Sequence, residues 1–432
     1  MGLGKTVITL TALQRLIDHA EIGRTLVVAP KKVAESTWST EADKWLHLHL
    51  SVALALGDEK QRLKAIDSGA DIVVLGRDNV AWLRDCYQRR KHFPFDTLVI
   101  DELTGFKNVS SQRFRAVRWM RRHLSRIIGM TGTPTPNGLL DLWAQVYCVD
   151  GGERLGPTFG DYRSHWFDTV THNNIVIKAW PKKGAEEEIS GKIADITLTM
   201  RGEDWLELPE MTEIDVPVTL PPVTLDWYHR FERDKIIELR TELGDMRTLT
   251  AQSAAPLATK LAQYANGQVY DEDRGVIETH EQKLKALQEI VEDDERPLLV
   301  FYQYRHDRDR IMKYFRRLKP RCYEGDSDLR DWNAGKIRLL LAHPASTAYG
   351  LNMQRGGHRI VWYSTGWNLE LYQQANARLH RQGQKEHVAV MRLIATGTID
   401  ERMRDAISGK DAKQSDFLNE MKRYIRDYGK GQ

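Results

Sequence analysis

The sequence predicts an α/β protein of two lobes, each built on a parallel sheet, with a mixed and mainly helical insert between them. Three observations predict it. The first third alternates short β-branched runs with helical patterns, the last third repeats that alternation, and the stretch between differs in texture. In the first third the runs are Thr25–Ala29, Asp71–Leu75, Thr97–Ile100 and Arg126–Met130. Each is a short, largely apolar run bounded by turn or charged residues, which suits strands buried on both faces with crossover helices. In the last third the runs are Leu298–Phe301, Arg338–Ala342, Arg359–Tyr363 and Val388–Met391. The middle is rich in Gly, Trp and charge. It holds one alternating segment (Ile214, Val216, Val218, Leu220), then Pro221-Pro222 and a helical pattern from about Thr224 to Leu243. The expected divisions are 1–150 for the first lobe, 151–285 for the insert, 286–410 for the second lobe and 411–432 for a basic C-terminal helix or tail.

Composition narrows the function classes. At roughly 150 residues per domain, 432 residues give two to three domains. Apolar residues are 41% and charged residues 28%, which excludes wholesale disorder and fibrous repeats. Only Cys86, Cys148 and Cys322 occur, far apart, so a disulfide framework or a cysteine-rich zinc site is not expected. No apolar run approaches the ~18 residues of a membrane span, and no secretory leader is visible. The expectation is a soluble protein of a bacterial or phage-infected host cytoplasm. His47 and His49 alternate with Leu48 and Leu50, which reads as a half-buried strand or helix edge rather than a metal site.

Four segments carry chemistry. Gly2-Leu3-Gly4-Lys5-Thr6, followed by a helical pattern from Val7 to Ile17, matches the end of a phosphate-binding loop. Glycines let backbone N–H groups close around phosphates, and the helix start favours their charge. Lys5 would reach the β- and γ-phosphates and the Thr6 hydroxyl would ligate Mg²⁺; a plain helix start has the same look. Leu98-Val99-Ile100-Asp101-Glu102 is a strand ending in two carboxylates, at the sheet edge where α/β ligands bind. Asp101 would hold the Mg²⁺ shell and Glu102 would orient or deprotonate the attacking water. A solvated acidic loop is the bland alternative. Arg126–Met130 runs into Thr131-Gly132-Thr133-Pro134, where Thr131 and Thr133 could bond the acidic pair, though a Gly/Pro turn fits equally. In Gln374–Gln384, Arg378 and Arg381 stand three apart and, if helical, share a face. Two such guanidiniums suit arginine fingers, and they equally suit a solvated basic helix.

The order of these segments resembles that of a Swi/Snf-type DNA-dependent ATPase of helicase superfamily two, in the compact form found in phages and prophages. Met1–Thr6 resembles motif I, Val27-Val28-Ala29-Pro30 through Trp38 motif Ia, and Asp101–Asn108 motif II with its trailing Lys-Asn. Thr131–Pro134 with Asn137 and Leu142 resembles motif III, Leu299-Val300-Phe301 motif IV, Ser346–Asn352 motif V, and Gln374–Gln384 motif VI. The resemblance covers nearly the whole chain, and Arg-x-His-Arg-x-Gly-Gln is its most specific string. It implies two RecA-like lobes, with ATP and Mg²⁺ handled by Gly2, Gly4, Lys5, Thr6, Asp101, Glu102, Arg378 and Arg381. It also implies that Gly350 and Gln374 line a cleft between the lobes. Thr131, Thr133, Ser346 and Asn352 would couple nucleotide state to double-stranded DNA. The family's motor translocates on duplex DNA, mostly without separating strands.

Two departures stand out. Thr104 takes the place where many relatives have histidine. The first glycine of the loop consensus, its feeding strand and the adenine-reading segment would fall before Met1, so the natural chain is expected to begin a few tens of residues earlier. That departure keeps a catalytically dead DNA-binding remnant as an alternative, and a strand-separating helicase is a further one.

Net charge is only +3, from 63 Lys+Arg and 60 Asp+Glu. Its distribution is uneven. Leu103–Leu140 holds seven Lys/Arg and no acid, and Arg305–Arg321 holds eight against two Asp. One basic stretch on each lobe suits a duplex held through its phosphates; solvated helix faces are the alternative.

Overall fold

The computed structural model describes residues 3–90, 92–132, 134–135, 138–172, 175–200, 207–243, 251–271, 275–347 and 351–408. The chain divides into two units, Gly2–Trp205 and Leu206–Gln432. The stretch 151–285 contributes to both.

The first unit is a five-stranded parallel sheet in the order β2-β3-β1-β4-β5. Its strands are β1 (Thr25–Ala29), β2 (Val52–Ala55), β3 (Ile72–Gly76), β4 (Thr97–Asp101) and β5 (Arg126–Met130). Every residue of β1, β3 and β4 is buried, as near-continuous apolar runs between helical layers require. The edges differ. β2 is half-buried, and its two alanines give it little strand propensity, which is why no strand is predicted there. β5 is half-exposed and carries Gly129, where an added Cβ would come within 2.5 Å of Leu103 Cδ2. The helices around the sheet are α1 (Lys5–Asp18), α2 (Lys31–Lys44), α3 (Glu59–Ile66), α4 (Val80–Tyr87), α5 (Gln112–Met120) and α6 (Leu142–Asp150). After α7 (Phe159–Trp166) comes the antiparallel hairpin of β6 (Phe167–His172) and β7 (Ile175–Pro181), then α8 (Ala185–Ile193). Phe114, Trp143, Tyr162, Trp166 and Phe167 join α5, α6, α7 and the hairpin to the sheet's core.

The second unit is a six-stranded parallel sheet in the order β12-β13-β11-β14-β15-β8. The alternating segment of the insert is β8 (Met211–Val218), and it pairs with the later β15 (Val388–Ala395) along its full length. Pro217 lacks an N–H to donate, and an edge position tolerates that. A small hairpin, β9 (Gln268–Tyr270) with β10 (Val276–Glu278), follows two helices, Pro222–Leu243 and Ala251–Ala265. The remaining strands are β11 (Leu298–Phe301), β12 (Arg321–Cys322), β13 (Leu339–Ala342) and β14 (Arg359–Trp362). Apolar layers cover both faces of this sheet, one around Phe301, Trp332 and Trp362, the other around Leu287, Val300 and Tyr363. Among the described residues no helix is long and apolar enough to cross a membrane. The segment holding His47 and His49 is a loop, not a strand or helix edge, and His47 Nε2 lies 2.8 Å from Thr11 Oγ1.

A buried polar network ties the helix pair to this sheet. Lys283 is fully buried; its Nζ lies 2.6 Å from Asp400 Oδ2 and donates to Asn266 Oδ1 (2.7 Å) and the Tyr363 carbonyl (3.2 Å). The Asn266 amide in turn donates to Asp307, which also accepts from Ser364. Such a pair contributes little over apolar packing, but removing one member leaves an uncompensated buried charge. Asp400→Ala is therefore expected to destabilise the chain by about 3–5 kcal/mol. Adding Lys283→Met should return a large part of that loss, as read by urea denaturation of the single and double variants.

Candidate functional site

The site in the first unit is assembled where α1 meets the carboxyl ends of β4 and β5. Gly4 has φ +71° and ψ 26°, the left-handed region a glycine enters without strain, and it turns the chain into α1. The first turn of α1 holds no acidic residue, so no carboxylate of the helix itself occupies its positive end. Thr9 anchors this turn: its hydroxyl lies 2.9 Å from the Lys5 carbonyl and 3.0 Å from Met130 Sδ. Met130 is the β5 partner of Asp101 in the parallel register. One side chain thus ties the start of the helix to the strand end beside the acidic pair.

Asp101 ends β4 and is buried; Glu102 follows in a left-handed conformation, φ +57° and ψ +64°. For a glutamate that backbone costs roughly 1–3 kcal/mol. A short 3-10 turn, Leu103–Phe106, holds it in place: its Leu103 and Phe106 are buried, and the Gly105 N–H bonds the Glu102 carbonyl at 2.9 Å. Lys5 Nζ lies 3.9 Å from Glu102 Oε1. The fully buried Trp38 of α2 donates its indole N–H to Asp101 Oδ2 at 3.3 Å. Burial, and then the Glu102 charge beside it, pushes the Asp101 carboxyl up to about 6, against the pull of Lys5 and Trp38. Glu102 Oε2 is buried without a hydrogen-bond partner among the described residues.

That electrostatic state fits a divalent cation. Two adjoining carboxylates, one with an orphaned oxygen, face a single lysine, and oxygen donors suit Mg²⁺. Asp101 and the Thr6 hydroxyl are the groups that would hold it. Of the other residues expected here, Gly2 and Thr133 lie outside the described residues. Thr131 follows β5 directly and is half-buried. Thr104 is buried within the 3-10 turn.

The second unit carries the paired arginines, but not on one helix. The helix ends at Asn376, and i→i+3 bonds from the Arg378 and Leu379 N–H groups tighten the chain into turns. The Asn376 side chain is held by the Trp362 indole at 2.9 Å. The expectation of a shared helical face is corrected accordingly. The two side chains still converge, since Arg378 Nη1 and Arg381 Nη1 both reach the Leu351 carbonyl, at 3.4 and 2.8 Å. Arg378 Nε also donates to the Gln374 carbonyl, and the buried Gln374 amide donates to Glu370 at 2.9 Å. Ser346 donates to the His343 carbonyl at 2.7 Å, and the Asn352 carbonyl accepts from Asn333. Gly350 lies outside the described residues.

Sequence reasoning did not single out Thr9, and it quoted Trp38 and Gln384 within motifs without giving either a role. Gln384 is a clamp. Its amide donates to the carbonyls of Gln354, Gly357 and Leu379, while its oxygen accepts from the Lys385 and Glu386 N–H groups. Trp38 sits 63 residues from its partner, and no local pattern exposes such a contact.

Residues 1–267 match the SNF2-related domain. The chain belongs to the SNF2 family. Protein p41 of Acyrthosiphon pisum secondary endosymbiont phage 1 is 38% identical over 445 residues, covering 98% of this chain and 94% of that protein. An uncharacterized ATP-dependent helicase of Mycoplasma pneumoniae is 26% identical over 418 residues, covering 93% of this chain but 38% of its own length. The chain thus spans nearly all of the phage relative and well under half of the bacterial one. The Sulfolobus solfataricus SWI2/SNF2 ATPase core in complex with dsDNA is similar at 22% identity, with 99% of this chain and 89% of that chain covered and a TM-score of 0.42. The two parallel α/β units are the two RecA-like lobes of a compact, helicase-like SNF2 core.

The raised Asp101 pKa makes a stability prediction. The unfolded carboxyl ionises near its ordinary 3.8 and the folded one near 6. The folded state is therefore penalised increasingly as pH rises from about 4 to 6, and fully above that. Without nucleotide or Mg²⁺, Asp101→Asn should stabilise the SNF2 chain at pH 7 by about 3 kcal/mol. The gain should vanish near pH 4, as followed by denaturation across that range.

Proposed function

We propose that this SNF2 chain hydrolyses ATP with Mg²⁺ in response to double-stranded DNA and uses the turnover to move along the duplex without separating strands. The observation that carries the reading is the cluster at the end of β4, where Lys5, Asp101 and Glu102 meet at the start of a helix whose first turn holds no acidic residue. The α1 amides and Lys5 bind the phosphates, and Lys5 leaves Glu102 to do so. Glu102, released from its ion pair, orients the attacking water and takes its proton. Asp101 and Thr6 would hold Mg²⁺, which would supply neutralisation of phosphate charge. Trp38 holds the Asp101 carboxylate in a fixed rotamer. Arg378 and Arg381 stabilise charge that develops on the transferring phosphoryl group. Thr131, Ser346 and Asn352 relay the nucleotide state to the DNA.

For the duplex, the exposed cations matter more than the total. In the first basic stretch Lys107, Arg113 and Arg126 are paired with Asp141, Asp78 and Glu21. In the second, Arg308 and Arg321 are paired with acids, and Arg310 is buried against the carbonyls of Asn266 and His280. Arg305, Lys313, Arg316, Arg317 and Lys319 remain to contact phosphates there.

Duplex DNA should raise the ATPase rate. Glu102→Gln should remove turnover while keeping nucleotide affinity, and Arg381→Ala should lower kcat on the order of 10³-fold. A DNA-independent rate, or an active Glu102→Gln protein, would contradict the proposal. A triplex-displacement assay should report movement where a strand-separation assay on the same duplex reports none. Reversing Arg316 and Arg317 together to Glu should weaken DNA binding and make the log–log salt dependence shallower by about 2 units.

A further inference from the structure

The first lobe contains a cavity that the nucleotide chemistry does not use. It has a volume of about 470 Å³ and lies where the end of α5, the start of β5 and the end of α6 come together, with Arg118, Arg121, Arg122, Tyr147, Val149 and Arg154 in its wall. Leu124 and Ser125, also in the wall, immediately precede β5. The cavity therefore sits at the amino edge of the sheet, while Asp101 and its partner Met130 mark the carboxyl edge. Five strand residues separate the two, roughly 16 Å. This volume falls within the ordinary range for small-ligand pockets.

Its charge is lopsided. Arg154 is spoken for: it forms a two-pronged bridge to Asp195 and also meets Asp150 and Glu153. Asp150 is buried, and it also accepts the Gly152 and Arg154 N–H groups. No such pairing serves Arg118, Arg121 or Arg122, none of which meets a carboxylate among the described residues. Arg118 lies over the Tyr147 ring at 5.8 Å. Arg121 is held deliberately. Its Nη1 donates to the Val149 carbonyl at the end of α6, and it passes directly over Gly151. An added Cβ on Gly151 would stand 2.4 Å from Arg121 Nε, and Gly151 itself has φ +76°. The turn after α6 thus takes glycine both for its backbone and for the guanidinium lying on it. Leu124, Ile127, Val149 and Ile196 give the wall an apolar side.

We propose that this cavity binds a small phosphate-bearing anion of mononucleotide size. Arg121 is the anchoring cation and Arg118 and Arg122 close on the phosphate from the rim, each offering the planar fork that suits phosphate oxygens. The organic part rests on Tyr147 and the apolar wall. The phosphate comes either from a free nucleotide or from the 5′ end of a DNA strand. The site is independent of the hydrolytic reading, because no residue in it belongs to the α1–β4 cluster.

The experiment uses the full chain carrying Lys5→Ala, so that the phosphate loop is disabled. Calorimetric titration with AMP is compared with titration with adenosine, and a 5′-phosphorylated oligonucleotide is compared with the same strand lacking the phosphate. AMP should bind and adenosine should not, and Arg121→Ala or Gly151→Ala should weaken AMP at least tenfold. Arg122→Glu, at an exposed position, should do the same without touching the fold. If the phosphorylated strand gains affinity over the bare strand through Arg121 and Arg122, the DNA end is the source; if only AMP does, the free nucleotide is. No binding of either phosphate, or binding indifferent to Arg121, Arg122 and Gly151, overturns the proposal.

Discussion

Placing the Asp101 carboxyl in the core beside Glu102 is the constraint on which the first lobe depends. Two carboxylates side by side at a buried strand end repel each other and lose hydration together. The fold offsets this with one lysine at 3.9 Å and one indole N–H at 3.3 Å, and the Asp101 carboxyl still stays well above its ordinary range. The surrounding elements hold this arrangement in place. β4 is buried along its whole length, α2 delivers Trp38, and Thr9 pins α1 to the strand next door. Even the left-handed Glu102 belongs to this constraint, since its strain is held by two buried side chains of the following turn. A site so arranged is completed by positive charge, and the ATP reading rests on that requirement.

The second lobe follows a different logic. Its arginines are held in part by backbone: Leu351 offers one carbonyl to both guanidiniums, and Gln384 fastens the surrounding turns through five backbone bonds. A carbonyl acceptor fixes the direction of a guanidinium without itself cancelling the charge. Charge is consumed deeper in the lobe, where Lys283, Asp400 and Asp307 bind the helix pair to the sheet. That set of ionic groups serves architecture.

Most of the fold was legible in the sequence because strands buried on both faces must be written as apolar runs. β1, β3, β4, β11, β13 and β14 are all of that kind and fall within a residue of their predicted bounds. Edge strands were harder. β2 has alanines where strand formers are expected, and β12 is two residues long, so neither leaves a periodic signal. The chemistry read in part for the same reason. Lys5, Asp101 and Glu102 sit at strand and helix ends, which local pattern marks. Trp38 and Gln384 act through contacts distant in sequence, and only the folded chain shows them. The helix expected through Arg378 and Arg381 stops early because Asn376 is tied sideways to Trp362, a tertiary bond that spacing does not encode.

The near-neutral net charge changes meaning once each cation has an address. In both basic stretches some of the cations are matched by acids that the primary sequence places elsewhere, such as Asp78 for Arg113 and Asp331 for Arg321. Exposed pairs of this kind stabilise little, but they remove their cations from contact with phosphate. What remains is selective. Arg316, Arg317 and Lys319 stand on one lobe without an acid among the described residues, and Arg118, Arg121 and Arg122 gather at a cavity on the other. A chain meant only to be soluble would have no reason to leave three guanidiniums together beside an aromatic wall, nor to require glycine beneath one of them. Unmatched charge concentrated at a shaped place is a binding signal, where the same charge spread along a helix face is not.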